Sequence, residues 1–268
     1  MNKRLSVLIP NLNYANFLEQ CIKSIIVSAE SQIHEIEIII QDGMSTDNSF
    51  EIVNRIMELN PEVNIHWRQE KDNSQAQALS RAFEYSVGDF VLWLNSDEYL
   101  QPGILKKFLT LAANGKYEIY YGDTRHVDKN GVLIRYQVRP YRARRHILNG
   151  NVAISTCSTF IMRRVLEDYE FNWHLRGTPD LDMFSWLARR TYKWKHIGTS
   201  IGNFRWHKSQ ITNDSEIRFD EELKELKEKF NIPWGESNNR HRVIYKISCG
   251  IRLIILCLSK VIRRHKSY

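Results

Sequence analysis

Nowhere in this sequence does a strand-like segment run into Gly-x-Gly-x-x-Gly or into a Gly-Lys-Ser/Thr phosphate loop. That argues against a dinucleotide-binding dehydrogenase and against a P-loop nucleotidase. Cysteine is scarce too. Cys21, Cys157, Cys249 and Cys257 have neither the close pairing of a metal site nor the density of a disulfide scaffold, and a reducing cytoplasm fits them. No run of about twenty apolar residues is uninterrupted; the most apolar stretch, Val243 to Ile262, is broken by Lys246, Arg252 and Lys260. Met1-Asn2-Lys3-Arg4 leads straight into a strand-like segment containing Pro10, which is not the pattern of a secretory leader. There is no internal repeat or low-complexity linker. A chain of 268 residues can therefore bury one sizeable core, as a single body or two joined lobes.

Acidic residues are missing unevenly. Residues 1–100 hold 7 Lys and Arg against 15 Asp and Glu, a balance of −8, whereas residues 101–268 hold 31 against 16, a balance of +15. No acid lies between Asp128 and Glu167, a tract carrying Arg135, Arg139, Arg142, Arg144 and Arg145, and none follows Glu236. Such tracts suit nucleic acid, anionic lipid or phosphorylated substrates, and equally a solvated basic face.

What is present is an alternation of strand and helix. Leu5–Ile9 reads as a strand ended by Pro10-Asn11, and Phe17 to Ile26 has amphipathic helical spacing. Ile36–Ile40 is a β-branched strand that stops at Gln41-Asp42-Gly43-Met44-Ser45-Thr46-Asp47. Thr46 or Asp47 is placed to cap the helix that carries Ile52, Val53, Ile56 and Leu59. Val63–Trp67 is a third strand, followed by a helix over 74–87. Phe90–Leu94 is a fourth, buried on both faces, and it ends abruptly in Asn95-Ser96-Asp97-Glu98 before Pro102-Gly103 opens the next helix. Strand, acidic turn and helix at the carboxyl end of a parallel sheet could hold a divalent cation against a phosphate, although many such turns are only solvated loops. The connections are short enough to predict a parallel, doubly wound sheet.

Beyond residue 113 the pattern changes. Tyr117–Tyr121 is strand-like, and Asp128-Lys129-Asn130-Gly131 marks a hairpin between 124–127 and 132–136. Ser158–Arg164 reads as a strand entering a helix. A helix starts near Asp180-Leu181-Asp182, whose acids cannot share one helix face. Phe219, Leu223, Leu226 and Phe230 form the stripe of a surface helix. From Ile244 to Ile262 helical spacing with flanking bases describes either an in-plane anchor for an anionic membrane or a helix docked on the protein's own core.

Taken in order, these landmarks resemble the inverting GT-A glycosyltransferases of family 2, particularly those that build bacterial surface polysaccharides. Gln41–Asp47 is similar to the family's Asp-Gly-x-Ser-Thr-Asp signature, Glu70–Leu79 to its next turn and helix, and Leu94–Glu98 to its metal turn. Asp180-Leu181-Asp182 with Trp186-Leu187 corresponds to its base motif, and Arg205-Trp206-His207 to its Arg-x-His. The resemblance covers about three quarters of the chain. It implies a Rossmann-like GT-A fold, with residues 1–100 as the nucleotide-sugar half, 101–215 as the acceptor-binding and catalytic half, and 216–268 as a helical, membrane-associating tail.

For the site it implies Pro10, Asn11, Asp42, Asp72 and Ser96 around the nucleotide, with Asp42 accepting a hydrogen bond from a base. Asp97, with His207 and Glu98, would hold Mn²⁺ or Mg²⁺, and Asp180 or Asp182 would act as general base. The expected activity is inverting transfer of a hexose from a nucleotide-diphosphate sugar, preferably a UDP-sugar, to a lipid-linked saccharide. The expected place is the inner face of the cell membrane, with no nucleic-acid partner. A catalytically inactive relative that binds polyanion or membrane, and a nucleotidyltransferase, are the competing readings.

Overall fold

The computed structural model describes residues 4–210, 217–234 and 243–252. Its first half alternates strictly: β1 (Leu5–Asn11), α1 (Ala15–Ala29), β2 (Ile36–Asp42), α2 (Ser49–Leu59), β3 (Asn64–Gln69), α3 (Gln75–Tyr85) and β4 (Phe90–Trp93). These strands lie parallel in the order β3-β2-β1-β4, as the apolar runs predict. Because successive side chains on a strand point to opposite faces, Leu5, Val7 and Ile9 pack into one core with Ile36, Ile38 and Ile40. Leu8, Ile39, Val91 and Trp93 pack into a second core on the other face.

The second half adds β5 (Tyr99–Leu100), α4 (Ile104–Ala112), β6 (Ile119–Val127), β7 (Leu133–Gln137), α5 (Ala143–Ile147), β8 (Thr159–Met162), α6 (Pro179–Ala188), β9 (Trp194–Arg205) and α7 (Phe219–Phe230). Among the described residues one sheet runs β3-β2-β1-β4-β8-β6-β9-β5, with β7 paired to β6. From β4 outward it is mixed: β8 pairs antiparallel with both β4 and β6, while β6 and β9 run parallel. The hairpin turn is where Asp128-Lys129-Asn130-Gly131 predicts it, with Asp128 Oδ1 accepting the N–H groups of Asn130 and Val132 at 2.9 and 2.8 Å. Pro102 is not in the first turn of α4: Gly103, at φ 68°, is the residue before that helix. The segment after β8 is a short 3-10 turn, Arg163–Val165.

Residues 243–252 are helical, with one side against the body of the protein and the other exposed. Tyr245 donates to the Val152 carbonyl at 3.2 Å, and its ring lies 5.3 Å from that of His146. Arg252 is buried and pairs with Asp123 and His196. Asp123 is a hub: it also accepts the Arg139 N–H at 2.8 Å and the Tyr136 hydroxyl at 3.1 Å. Val243, Ile244, Ile247 and Ile251 point outward, 39 to 54% exposed. The continuation of the apolar stretch beyond 252 lies outside the described residues. Among the described residues, no helix is long and apolar enough to cross a membrane.

Candidate active site

At the carboxyl ends of β1 and β4 lies a cavity of about 390 Å³. Parallel sheets place ligands there, because loops converge where the strands stop. Pro10 and Asn11 end β1 on its wall, Asp72 to Gln75 lead into α3, and Asn95, Ser96 and Asp97 follow β4. The far side is closed by Arg176, Gly177, Pro179 and Asp180 at the start of α6.

The Asp42–Asp47 turn supports this wall from behind. Asp42 is fully buried and is not on the cavity surface. Its Oδ1 accepts Asn11 Nδ2 at 2.8 Å and the Ser45 hydroxyl at 2.5 Å; its Oδ2 accepts the Ser45 N–H at 2.7 Å and Gln69 Nε2 at 3.0 Å. A carboxylate so occupied and so placed does not present an oxygen to the cavity, contrary to the expected direct contact with a base; Asn11, which it holds, is the residue that reaches the wall. Asp72 is the acid on the wall. It approaches Gly43 so closely that a Cβ there would stand 2.6 Å from Asp72 Oδ2, and loss of solvation raises its pKa. Asp47 braces two helices, accepting the Ala15 N–H of α1 at 2.9 Å and the Ser49 N–H of α2 at 3.1 Å.

The β4 turn presents one acid and hides the other. The Ser96 hydroxyl donates to the Pro10 carbonyl at 2.7 Å, tying the turn to β1. Asp97 Oδ2 and His207 Nε2 are 2.8 Å apart, so residues 110 positions apart in the chain meet beside the cavity, with Asp97 on its wall and His207 behind it. His207 is held against the rings of Phe17 and Tyr14, at 4.8 and 5.7 Å between centroids. Glu98 turns inward, 2% exposed, and its Oε2 accepts the Asn95 N–H at 3.0 Å. Burial, and then the neighbouring Asp97, push its pKa up to about 8. Folded back onto its own turn and absent from the cavity wall, Glu98 does not present its carboxylate to the cavity as the expected metal helper would.

The two acids of α6 separate as their spacing requires. Asp180, half-buried, is on the cavity wall; its Oδ1 accepts the Leu181 N–H at 2.9 Å, and loss of solvation pushes its pKa up to about 6. Asp182 faces the core instead. The Tyr169 hydroxyl donates to its Oδ2 at 2.6 Å and Lys229 Nζ to its Oδ1 at 2.7 Å. It is a structural ion pair away from the cavity, and the alternative base falls with it.

Several functional contacts escape the sequence. Arg205 is buried and donates through Nε to the Asp97 carbonyl at 2.8 Å, pinning the turn by its backbone. Gln75 and Trp93 both donate to Asn95 Oδ1, at 3.0 and 2.6 Å, which fixes the side chain at the first position of the turn. Tyr14, Phe204 and Gln210 also reach the cavity. Only the Arg-Trp-His cluster hinted at the first of these; nothing local marks the others.

Asp97 offers a hard carboxylate oxygen and His207 an imidazole nitrogen in contact with it. Mg²⁺ and Mn²⁺ commonly take one or two protein ligands and complete their shells with phosphate oxygens and water, so this donor pair fits them. Among the described residues, no group of three or more His, Cys, Asp and Glu is arranged to hold an ion.

A Rossmann-like half prolonged by a mixed sheet, with its cavity at the strand ends, is the GT-A architecture of nucleotide-sugar-dependent transferases. The S. aureus TarS fragment 1–349, solved in complex with UDP-GlcNAc, matches with a TM-score of 0.70 at 16% identity, over 87% of this chain and 68% of that one. The mannosyltransferase PcManGT from Pyrobaculum calidifontis, solved with GDP-Man and Mn²⁺, matches with 0.55 at 18% identity over 73% of this chain and 55% of its own. The chain belongs to glycosyl transferase family 2, whose profile matches residues 6–170. Chondroitin synthase and hyaluronan synthase of Pasteurella multocida are each 28% identical over 200 residues, 72% of this chain. The chain spans about a fifth of the length of those two relatives, 20% and 19%.

Proposed function

We propose that this family 2 transferase moves a hexose from a UDP-sugar to a lipid-linked saccharide during surface polysaccharide synthesis, with inversion at the anomeric carbon. The observation that carries the reading is the placing of Asp97, touching His207, and Asp180 on walls of the same cavity. Pro10, Asn11, Asp72 and Ser96 line the nucleotide end, with Asp72 as the acceptor available to base or ribose. Asp97 and His207 would hold Mn²⁺ or Mg²⁺, which supplies positive charge against the diphosphate as that group departs. Asp180 removes the proton of the acceptor hydroxyl while that oxygen forms its bond to the anomeric carbon. On the opposite side of that carbon the bond to the diphosphate oxygen breaks, and the nucleoside diphosphate leaves with the electron pair. Similarity to the Pasteurella chondroitin and hyaluronan synthases and to TarS solved with UDP-GlcNAc supports a UDP-sugar donor and a polysaccharide product.

The exposed aliphatic face of residues 243–252 would lie on an anionic bilayer at the inner face of the cell membrane, bringing the acceptor's lipid to the cavity. The acid-free tract from 129 to 166, whose Tyr141 and Val152 lie beside that helix, supplies the matching positive charge. Calorimetry of UDP with the full chain in millimolar Mn²⁺ tests the donor assignment. Wild-type protein should bind UDP only with metal, and Asp97→Ala should lose that binding; folded wild-type protein that takes up no UDP would overturn the reading.

A further inference from the structure

We infer that Glu222, on the inward face of α7, is the positioning residue that holds the loop delivering Asp180 to the cavity. The inference rests on the base role proposed for Asp180. Residues 176–178 immediately precede α6, and one carboxylate from a distant helix gathers all three. Glu222 Oε1 accepts the N–H groups of Arg176 at 2.9 Å and Gly177 at 3.2 Å; Oε2 accepts the Gly177 N–H at 3.0 Å and the Thr178 hydroxyl at 2.8 Å. These N–H groups lie just before the first turn of α6, and negative charge is favoured beside a helix N-terminus. Thr178, which precedes the first residue of α6, gives its hydroxyl to Glu222 rather than capping the helix itself.

Shape carries the same conclusion independently. A Cβ on Gly177 would stand 2.4 Å from Phe219 Cε1 and 2.7 Å from Ile217 Cγ2, so the loop is pressed onto the start of α7 and only glycine allows it. Further along the same helix, Glu225 accepts from Asn172 at 3.1 Å and Lys229 pairs with Asp182. Positions 222, 225 and 229 recur at helical spacing, and all three engage the segment around the base. The sequence reads α7 as a surface helix; its inward side is a brace.

Two consequences follow for catalysis. Displacing a reacting group by about 1 Å can cost on the order of a hundredfold in rate, so loosening 176–178 should lower kcat and leave donor binding alone. Glu222 also adds negative charge near Asp180, second to burial in disfavouring its ionised form. The other groups facing Asp180 are Glu98 from the β4 turn and Tyr169 ahead of α6, with Asp97 and Arg176 on the cavity wall. Removing the Glu222 charge should therefore let Asp180 ionise at lower pH.

The test measures UDP release by the full chain from a panel of UDP-hexoses and UDP-N-acetylhexosamines. Glu222→Ala removes both acceptor oxygens and should lower kcat by roughly tenfold to a hundredfold, with KM and the Kd for UDP in Mn²⁺ within about twofold of wild type. Glu222→Gln keeps length and one carbonyl oxygen, and its rate should begin to fall at a lower pH than that of wild type; a merely structural role would not move that limb. If folded Glu222→Gln matches wild type in kcat and in the position of its acid limb, the positioning role is wrong, whether or not Glu222→Ala folds. Asp180→Asn run alongside separates the two ideas. Wild-type hydrolysis by it removes the base reading, whereas its silence beside normal Glu222 variants removes the positioning role alone.

Discussion

Asp180 should cost the folded protein stability in the same ionised state that the proposed base role requires. Its pKa lies at about 6 rather than 3.8, chiefly because the site strips away water. The sign follows from linkage: a carboxyl whose folded pKa is raised binds its proton more tightly when folded. Stability from this group is therefore fully present below pH 3.8, declines as pH rises, and is lost once pH passes about 6. At about 1.4 kcal/mol per pH unit, that displacement amounts to at most about 3 kcal/mol of destabilisation at neutral pH. Asp180→Asn removes the charge and keeps an oxygen to accept the Leu181 N–H. At pH 7.5 the variant should be more stable than wild type by about 1–3 kcal/mol, a Tm gain of roughly 3–10 °C for a chain of this size. The gain should vanish near pH 4, where wild type is also neutral. Wild-type UDP release should fall about fivefold between pH 6 and pH 5, as the basic form does. Paired scanning calorimetry at the two pH values and a rate profile check this. A variant no more stable at pH 7.5, or a wild-type rate that stays flat down to pH 4.5, would refute it.

Other perturbations separate structural from chemical roles. Asp182→Ala strips the buried Tyr169 hydroxyl and Lys229 of their acceptor, so we expect a loss of about 1–3 kcal/mol in urea denaturation with UDP affinity retained by the folded fraction. Paired Ile247→Asp and Ile251→Asp should abolish sedimentation with phosphatidylglycerol vesicles without altering UDP binding; unchanged sedimentation would refute the membrane role of that face.

The sequence displays the parallel half well because each of its strands is a short apolar run closed by a polar turn, a signal carried by neighbouring residues. The mixed half is less legible. β9 begins with Trp194-Lys195-His196 and passes through Gly198 and Gly202, so it lacks a hydrophobic period, and its pairing with β6 comes from residues some seventy positions earlier. β5 is two residues long. For the site, the motifs locate the turns but not the direction of each side chain. Asp42 and Asp72 are both acids after strands, and the network of Asn11, Ser45 and Gln69 decides which of them faces the cavity. Asp180 and Asp182 differ in the same way, because Tyr169 and Lys229 claim one of them. Apart from Ser45, three residues from Asp42, the donors that settle these choices lie 13 to 47 residues away, beyond the reach of any local pattern.

The fastening of residues 243–252 to Asp123 bears on how the tail can be studied. Arg252 supplies a full positive charge to a carboxylate with no exposure of its own, and that carboxylate also holds Arg139, Tyr136 and His196 in place. A chain cut before residue 243 would leave Asp123 buried without the guanidinium that pairs with it, a strongly unfavourable arrangement. Its failure to reach membranes would then report a loosened sheet as much as a lost anchor. The tail serves as internal counter-charge to the enzyme's central sheet, and the lipid contact proposed for it is best tested at its outward-facing side chains.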